Sequence, residues 1–120
     1  MRVLMLGQHL ELGWYREFLR AQGYEVTFPE NKAEAIAAIH MGKFDLVVLS
    51  YSLSHKTSLE LLELVDQTCP ECPMIAITEN RWQDRHVIPV ETVLVSEGPQ
   101  GVLDALKRVE RHGNRLRRVQ

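Results

Sequence analysis

The chain has 120 residues, which suits one domain with its own hydrophobic core. It is 45% hydrophobic and 25% charged with a net charge of −2, so neither a membrane protein nor a general nucleic-acid binder is indicated. Residues 1–6 are apolar but too short for the core of a signal peptide, and no run approaches the roughly 20 apolar residues of a membrane span. Two cysteines without an export signal predict a cytoplasmic protein in a reducing compartment.

Short apolar runs predict five strands. They cover residues 3–6, 25–28, 46–49, 74–77 and 93–95, of which the second is the weakest. The other four are almost continuously apolar, which is typical of strands covered on both faces in a parallel sheet.

Helical spacing of apolar residues fills the gaps between these strands. The first helical pattern ends at Gly23, the second at Gly42 and the third before Pro70, and the last begins after Pro99. Residues 80–89 hold only scattered apolar side chains, so a fourth helix there is expected to be short or missing. We expect Trp14 to pack on the side of the domain where the first helix lies. Residues 1–120 are therefore predicted to form one α/β domain, a doubly wound five-stranded parallel sheet.

In a sheet of this kind, ligands bind beyond the carboxyl ends of the strands. The segments predicted at that edge are residues 7–9, 50–52, 78–80 and 96–98. These segments are where a functional site is expected.

Several stretches follow one another at the spacing of a known family. They are Arg2-Val3-Leu4-Met5, Phe18-Leu19, Gly23-Tyr24-Glu25-Val26, Phe44-Asp45-Leu46-Val47-Val48-Leu49 and Pro73-Met74-Ile75-Ala76-Ile77-Thr78. With them the sequence resembles a response-regulator receiver domain of the chemotaxis-regulator type over essentially its whole length. The resemblance implies a flavodoxin-like sheet with the strand order 2-1-3-4-5.

The same resemblance implies a phosphorylation site whose residues are replaced here. Receivers carry an acidic pair for Mg²⁺ after the first strand, and the equivalents here are Leu6 and Gly7. The phosphoacceptor aspartate after the third strand is replaced by Ser50, and the lysine after the fifth strand by Ser96. Thr78 matches the family's switch residue. Because phosphoryl transfer depends on positioned Mg²⁺ and a cation, we expect a degenerate pseudo-receiver with no catalytic residue, no metal and no cofactor.

A serine hydrolase is an alternative. Hydroxyl, imidazole and carboxyl groups are all predicted near one edge of the sheet, on Ser50, His9, His55, Glu79 and Glu97. No Gly-x-Ser-x-Gly elbow surrounds the serine, however, and the scaffold is small. The sequence therefore favours a protein that is not an enzyme.

Cys69-Pro70-Glu71-Cys72 forms a C-x-x-C motif, which suggests redox chemistry or half of a zinc site. A redox pair is expected at the start of a helix, and zinc needs about four ligands. This motif is predicted in a loop between a helix and a strand, so a structural turn is favoured.

The resemblance implies signal transduction of the two-component type through protein–protein contacts. Receivers usually meet outputs or dimerise on the face of the fourth helix, fifth strand and last helix, so the partner surface is predicted around Arg81, Trp82, Arg85, Lys107 and Arg111. The partner would be a sensor kinase, an output domain or a second copy of the chain.

Two features leave other functions open. The stretch at about 107–120 has six Lys or Arg residues against one acid, and a solvated, basic helix end explains it better than nucleic-acid or membrane binding. The alternative function is a sensor for a small ligand or anion, in which Ser50, Ser52 and Ser96 supply hydrogen bonds in an emptied pocket.

Overall fold

The computed structural model describes the backbone of residues 1–50, 53–79 and 91–118, and their side chains except those at 9–11, 55 and 112–118. Within these ranges the strands are β1 (Arg2–Leu6), β2 (Glu25–Thr27), β3 (Leu46–Ser50), β4 (Met74–Thr78) and β5 (Glu91–Leu94). The helices are α1 (His9–Ala21), α2 (Lys32–Met41), α3 (His55–Thr68) and α4 (Gly98–Arg118), and a 3-10 turn at Val95–Glu97 precedes α4.

All the strands pair in parallel, in the order β2-β1-β3-β4-β5, which confirms the predicted doubly wound sheet. Alternate residues of the central strands enter two separate cores. Val3 and Met5 of β1 pack with α1 and α4, whereas Leu4 and Leu6 pack with α2 and α3. This two-sided burial explains why the strand sequences are continuously apolar. The shortened helix predicted between β4 and β5 falls on residues 80–89, outside the described residues.

Side-chain caps fix the starts of α2 and α3 at the carboxyl edge of the sheet. The Asn31 side chain accepts a 2.9 Å hydrogen bond from the Glu34 N–H, and Ser54 Oγ accepts one of 3.2 Å from the Thr57 N–H. Such caps satisfy amides that have no partner inside the helix. At the other end of α2, Gly42 has φ of 65°, the left-handed conformation expected of a helix stop.

The position of Trp14 differs from the prediction. It was expected to pack against the domain, but its side chain is 71% exposed. The buried residues of α1 are Leu12, Tyr15 and Leu19. Trp14 is turned away from the stripe that these three residues form, by about 130° at 3.6 residues per turn.

The C-x-x-C motif lies in the loop between α3 and β4, as predicted, and its cysteines form a disulfide with Cα atoms 5.4 Å apart. This disulfide was not predicted from the sequence, which suggested a reducing compartment. Among the helices described, none is long and apolar enough to span a bilayer.

Candidate functional site

The pairing register identifies which residues meet at the carboxyl edge of the sheet. Leu6 of β1 lies opposite Leu49 of β3, so the next residues, Gly7 and Ser50, are neighbours at the edge. Ser50 in turn lies opposite Ile77 of β4. The sequence-predicted site residues Gly7, Ser50 and Thr78 are therefore brought together along one side of the sheet.

Ser50 and Thr78 are buried polar residues at this edge. Ser50 is the last residue of β3 and is 2% exposed, and Thr78, the last of β4, is 9% exposed. Each of the two residues takes part in an interaction within the domain. A hydroxyl this deeply buried is poorly placed for attack on a substrate from solvent, which argues against Ser50 as a nucleophile.

Leu6 and Gly7, predicted as equivalents of the acidic pair, lie in different surroundings. Leu6 is inside β1, 2% exposed, and belongs to the core shared with α2 and α3. Gly7 follows the strand, and Gln8 is the N-cap residue of α1. After β1, the first side chain able to reach a ligand at this edge is therefore that of Gln8, which lies in the predicted segment 7–9.

The end of β5 differs from the prediction. The strand was expected over residues 93–95, but it ends at Leu94, and Ser96 lies exposed in the 3-10 turn. The Glu97 carboxylate turns back and accepts a 2.7 Å hydrogen bond from the Leu94 N–H, and Gly98 follows with φ of 67°. This local bond and the left-handed glycine end the strand and redirect the chain into α4.

The side chains at positions 6, 7 and 50 of this edge do not fit Mg²⁺. The ion prefers several oxygen ligands in octahedral geometry, usually with one or two carboxylates among them. Leu6 and Gly7 supply no side-chain oxygen, and Ser50 supplies one hydroxyl. Within the described parts of the chain, no three His, Cys, Asp or Glu side chains are grouped so that they could hold a metal ion.

The alternative hydrolase residues are not assembled by the described part of the chain. Glu97 is bonded to the backbone of Leu94, and Glu79 is exposed beyond β4. The side chains of His9 and His55 lie outside the described residues, as do Tyr51 and Ser52.

A pocket of about 200 Å³ opens next to this edge, on the α2 and α3 side of the sheet. We call it the α2–α3 pocket; its main lining residues are Leu6, Lys32, Ala35, Leu53, Thr57 and Leu61. Ser50 and Ser96 do not line it, so the emptied pocket predicted from the serines is not this one. Leu6 and Gly7, which the sequence predicted as site residues, line this pocket, but its residues from α2 and α3 were not predicted because they are distant in the chain and individually ordinary.

Only part of the predicted partner surface lies in the described residues. Lys107 and Arg111 are exposed on α4, one helical turn apart. Between them, Arg108 donates to the Glu91 carboxylate at 2.8 Å, which ties α4 to β5 and raises the pKa of Arg108 above its usual range. Arg81, Trp82 and Arg85 lie outside the described residues.

Solved structures with this arrangement are CheY-like receivers. A receiver domain from Methanospirillum hungatei JF-1 matches with a TM-score of 0.78 and 21% identity, over 95% of this chain and 96% of that one. A two-component response regulator from Clostridium difficile matches with a TM-score of 0.77 and 19% identity, over 95% and 98%. TrrA from Thermotoga maritima, solved in complex with Mg²⁺–BeF, matches with 0.72 and 22%, over 90% and 97%.

This chain has the fold of the CheY-like receivers. At these identities the likeness concerns the fold, and the sequence itself matches neither a protein-family model nor a curated protein. The shared architecture places the edge with Gly7, Ser50 and Thr78 where open α/β sheets bind their ligands.

Proposed function

We propose that this chain is a cytoplasmic, receiver-like signalling domain that does not accept a phosphoryl group on an aspartate and acts through protein–protein contacts. It is not an enzyme in this proposal. The fold supports the signalling role, because the similar solved structures are described as response regulators and receiver domains.

The observation that carries the proposal is the pair Gly7 and Ser50 at the carboxyl edge. Aspartyl phosphorylation needs a carboxylate to attack, and Mg²⁺ and a lysine to neutralise the transferring oxygens. Position 50 holds a buried hydroxyl and position 7 has no side chain. The TrrA structure contains Mg²⁺–BeF; positions 7, 50 and 96 of our chain, where receivers carry an acidic residue, the acceptor aspartate and a lysine, offer that group neither a carboxylate nor a cation.

The proposed partner surface includes α4 and β5; Arg81, Trp82 and Arg85, which the resemblance adds to it, lie outside the described residues. Lys107 and Arg111 give it two exposed positive charges one turn apart. Because Arg108 is already bonded to Glu91, α4 is held against the sheet and can present these charges at a fixed spacing. A partner with acidic side chains at the matching spacing fits this surface: a sensor kinase, an output domain or a second copy of the chain.

A pull-down from the native cell tests the surface. The wild-type chain is compared with Trp82→Ala, with the double variant Lys107→Glu and Arg111→Glu, and with the control Trp14→Ala. The control removes the other tryptophan of the chain, on an exposed face of α1. We expect the first two variants to lose the partner and the control to keep it. Equal recovery by all of them, or loss only with Trp14→Ala, would place the interface elsewhere.

A further inference from the structure

We propose that the α2–α3 pocket binds a small neutral molecule built on one ring or two fused rings. The site is separate from the proposed protein-binding face, so the two proposals can fail independently.

The inner surface of the pocket is apolar and belongs to the core. Leu6, Ala35 and Leu61 are all nearly fully buried and come from β1, α2 and α3 respectively. Leu53, half-buried in the loop before α3, forms a further wall. Since these residues also pack against one another in one hydrophobic cluster, the pocket is held open by the fold itself. A preformed apolar cavity favours an apolar ligand, because both surfaces leave water on binding.

The volume limits the size of the ligand. An apolar cavity of about 150 Å³ is large enough for benzene, whereas pockets for drug-sized molecules begin at about 300 Å³. The α2–α3 pocket, at about 200 Å³, therefore holds one ring with a substituent, or two small fused rings. A nucleotide is too large for it.

The charges at the rim decide against an anion. Lys32, the cation that lines the pocket, is bonded to the Glu60 carboxylate of α3. That hydrogen bond lowers the pKa of Glu60, which keeps this carboxylate ionised beside Lys32 at neutral pH. Glu30 adds a negative charge at the same rim. Among the described residues that line the pocket, a bound anion would meet no cation without a partner, and any charged group would lose its hydration against the leucines.

Polar groups at the mouth can orient the ligand. Thr57 of α3 and Gln8, which precedes α1, both line the pocket. The Thr57 hydroxyl accepts a 3.0 Å hydrogen bond from the Ser54 hydroxyl and can itself donate. One polar atom on the ligand, such as a hydroxyl or a ring N–H, would find a partner at the mouth while the ring occupies the apolar interior.

The test is a titration of the ¹⁵N-labelled chain, followed by amide chemical shifts, with indole and phenol as neutral probes. Benzoate serves as the anionic probe of similar size, and adenosine as the oversized one. We expect saturable shifts at and around Leu6, Leu53 and Leu61 with indole or phenol, with a dissociation constant of about 0.1–1 mM. Benzoate should bind at least about 10-fold more weakly, and adenosine should not saturate. Scattered shifts that do not saturate, or benzoate binding as tightly as phenol, would overturn the proposal.

A pair of matched variants tests the location. Thr57→Phe places a ring across the mouth, whereas Thr68→Phe makes the same change at the exposed far end of α3. We expect the dissociation constant for indole to rise at least about 10-fold with Thr57→Phe and to stay unchanged with Thr68→Phe. Equal affinity in both variants would refute the site. If Thr57→Phe loses its helical circular dichroism, the shift map of the wild-type chain decides: shifts away from the pocket refute the proposal.

Discussion

Restoring the aspartate at position 50 should destabilise the protein rather than create a phosphorylation site. Ser50 is 2% exposed, and its neighbours on the flanking strands are Gly7 and Ile77, neither of which carries a charge. In Ser50→Asp a carboxyl would replace the hydroxyl beside two residues that cannot neutralise it. Burial therefore raises the pKa of the new carboxyl in the folded protein, by about 3 units or more at a site this enclosed.

The size of the effect follows from the pKa of about 3.9 for aspartate in the unfolded chain. Because the folded pKa is the higher one, the penalty is absent at pH values below about 4 and grows as the pH rises. At roughly 1.36 kcal/mol for each pH unit, it reaches about 1.5 kcal/mol at pH 5 and about 4 kcal/mol at pH 7. A loss of this size is a large part of the stability of a small domain, about 5–15 kcal/mol.

Urea unfolding of Ser50→Asp and of Ser50→Asn, at pH 5 and at pH 7, measures this penalty. The asparagine variant has nearly the same shape without the charge, so it also accounts for the lost interactions of the serine. We expect the two variants to differ by about 4 kcal/mol at pH 7 and by about 1.5 kcal/mol at pH 5. Equal stability at pH 7, or a selective rescue of the aspartate variant by Mg²⁺, would refute this reasoning.

Two further predictions concern the packing that holds α1 and α4. In Gly101→Ala the new Cβ would lie 2.6 Å from Cβ of Glu97, so we expect the free energy of unfolding to fall by about 1–3 kcal/mol. In Gly13→Ala the new Cβ has open space, so we expect the free energy of unfolding to rise by about 0.5–1 kcal/mol. Melting temperatures that shift in the same direction in both variants would contradict this. Burial, together with the hydrogen bond of 2.6 Å from the Tyr24 hydroxyl to the Glu110 carboxylate, raises the pKa of Tyr24 to about 12. The stability that this residue contributes is therefore complete below pH 10 and falls between pH 10 and 12. Tyr24→Phe should cost about 1 kcal/mol at pH 8 and lack the alkaline fall in urea unfolding; a variant with the wild-type pH dependence would show that the bond is unimportant.

Much of the fold was predictable from the sequence because local signals and tertiary packing agree. The apolar run at 46–49 is buried on both faces of the sheet, and Gly42 ends α2 in the left-handed conformation that its position suggested. The end of β5 was not predictable in this way. It depends on the Glu97 carboxylate turning back to the Leu94 amide, and a sequence pattern does not show that a particular glutamate will do so.

The candidate site was predictable in outline only. The carboxyl ends of the strands pointed to Gly7, Ser50 and Thr78, and the register brings them to one edge. The α2–α3 pocket was missed, since Ala35 and Leu61 read as ordinary helical core residues and only the packing of α2 beside α3 leaves a space between them. The exposure of Trp14 could have been predicted from helical spacing, because this position is out of phase with the apolar stripe of α1.

The central claim is that this domain keeps the receiver fold without aspartyl phosphorylation. Incubation with acetyl phosphate and Mg²⁺, followed by intact-protein mass spectrometry, tests it most directly, with a phosphorylatable receiver in the same tube as a control for the reagent. Our account predicts an unchanged mass for the wild-type chain and for Ser50→Asp while the control gains one phosphoryl group. A gain of one phosphoryl group by the wild-type chain would contradict it.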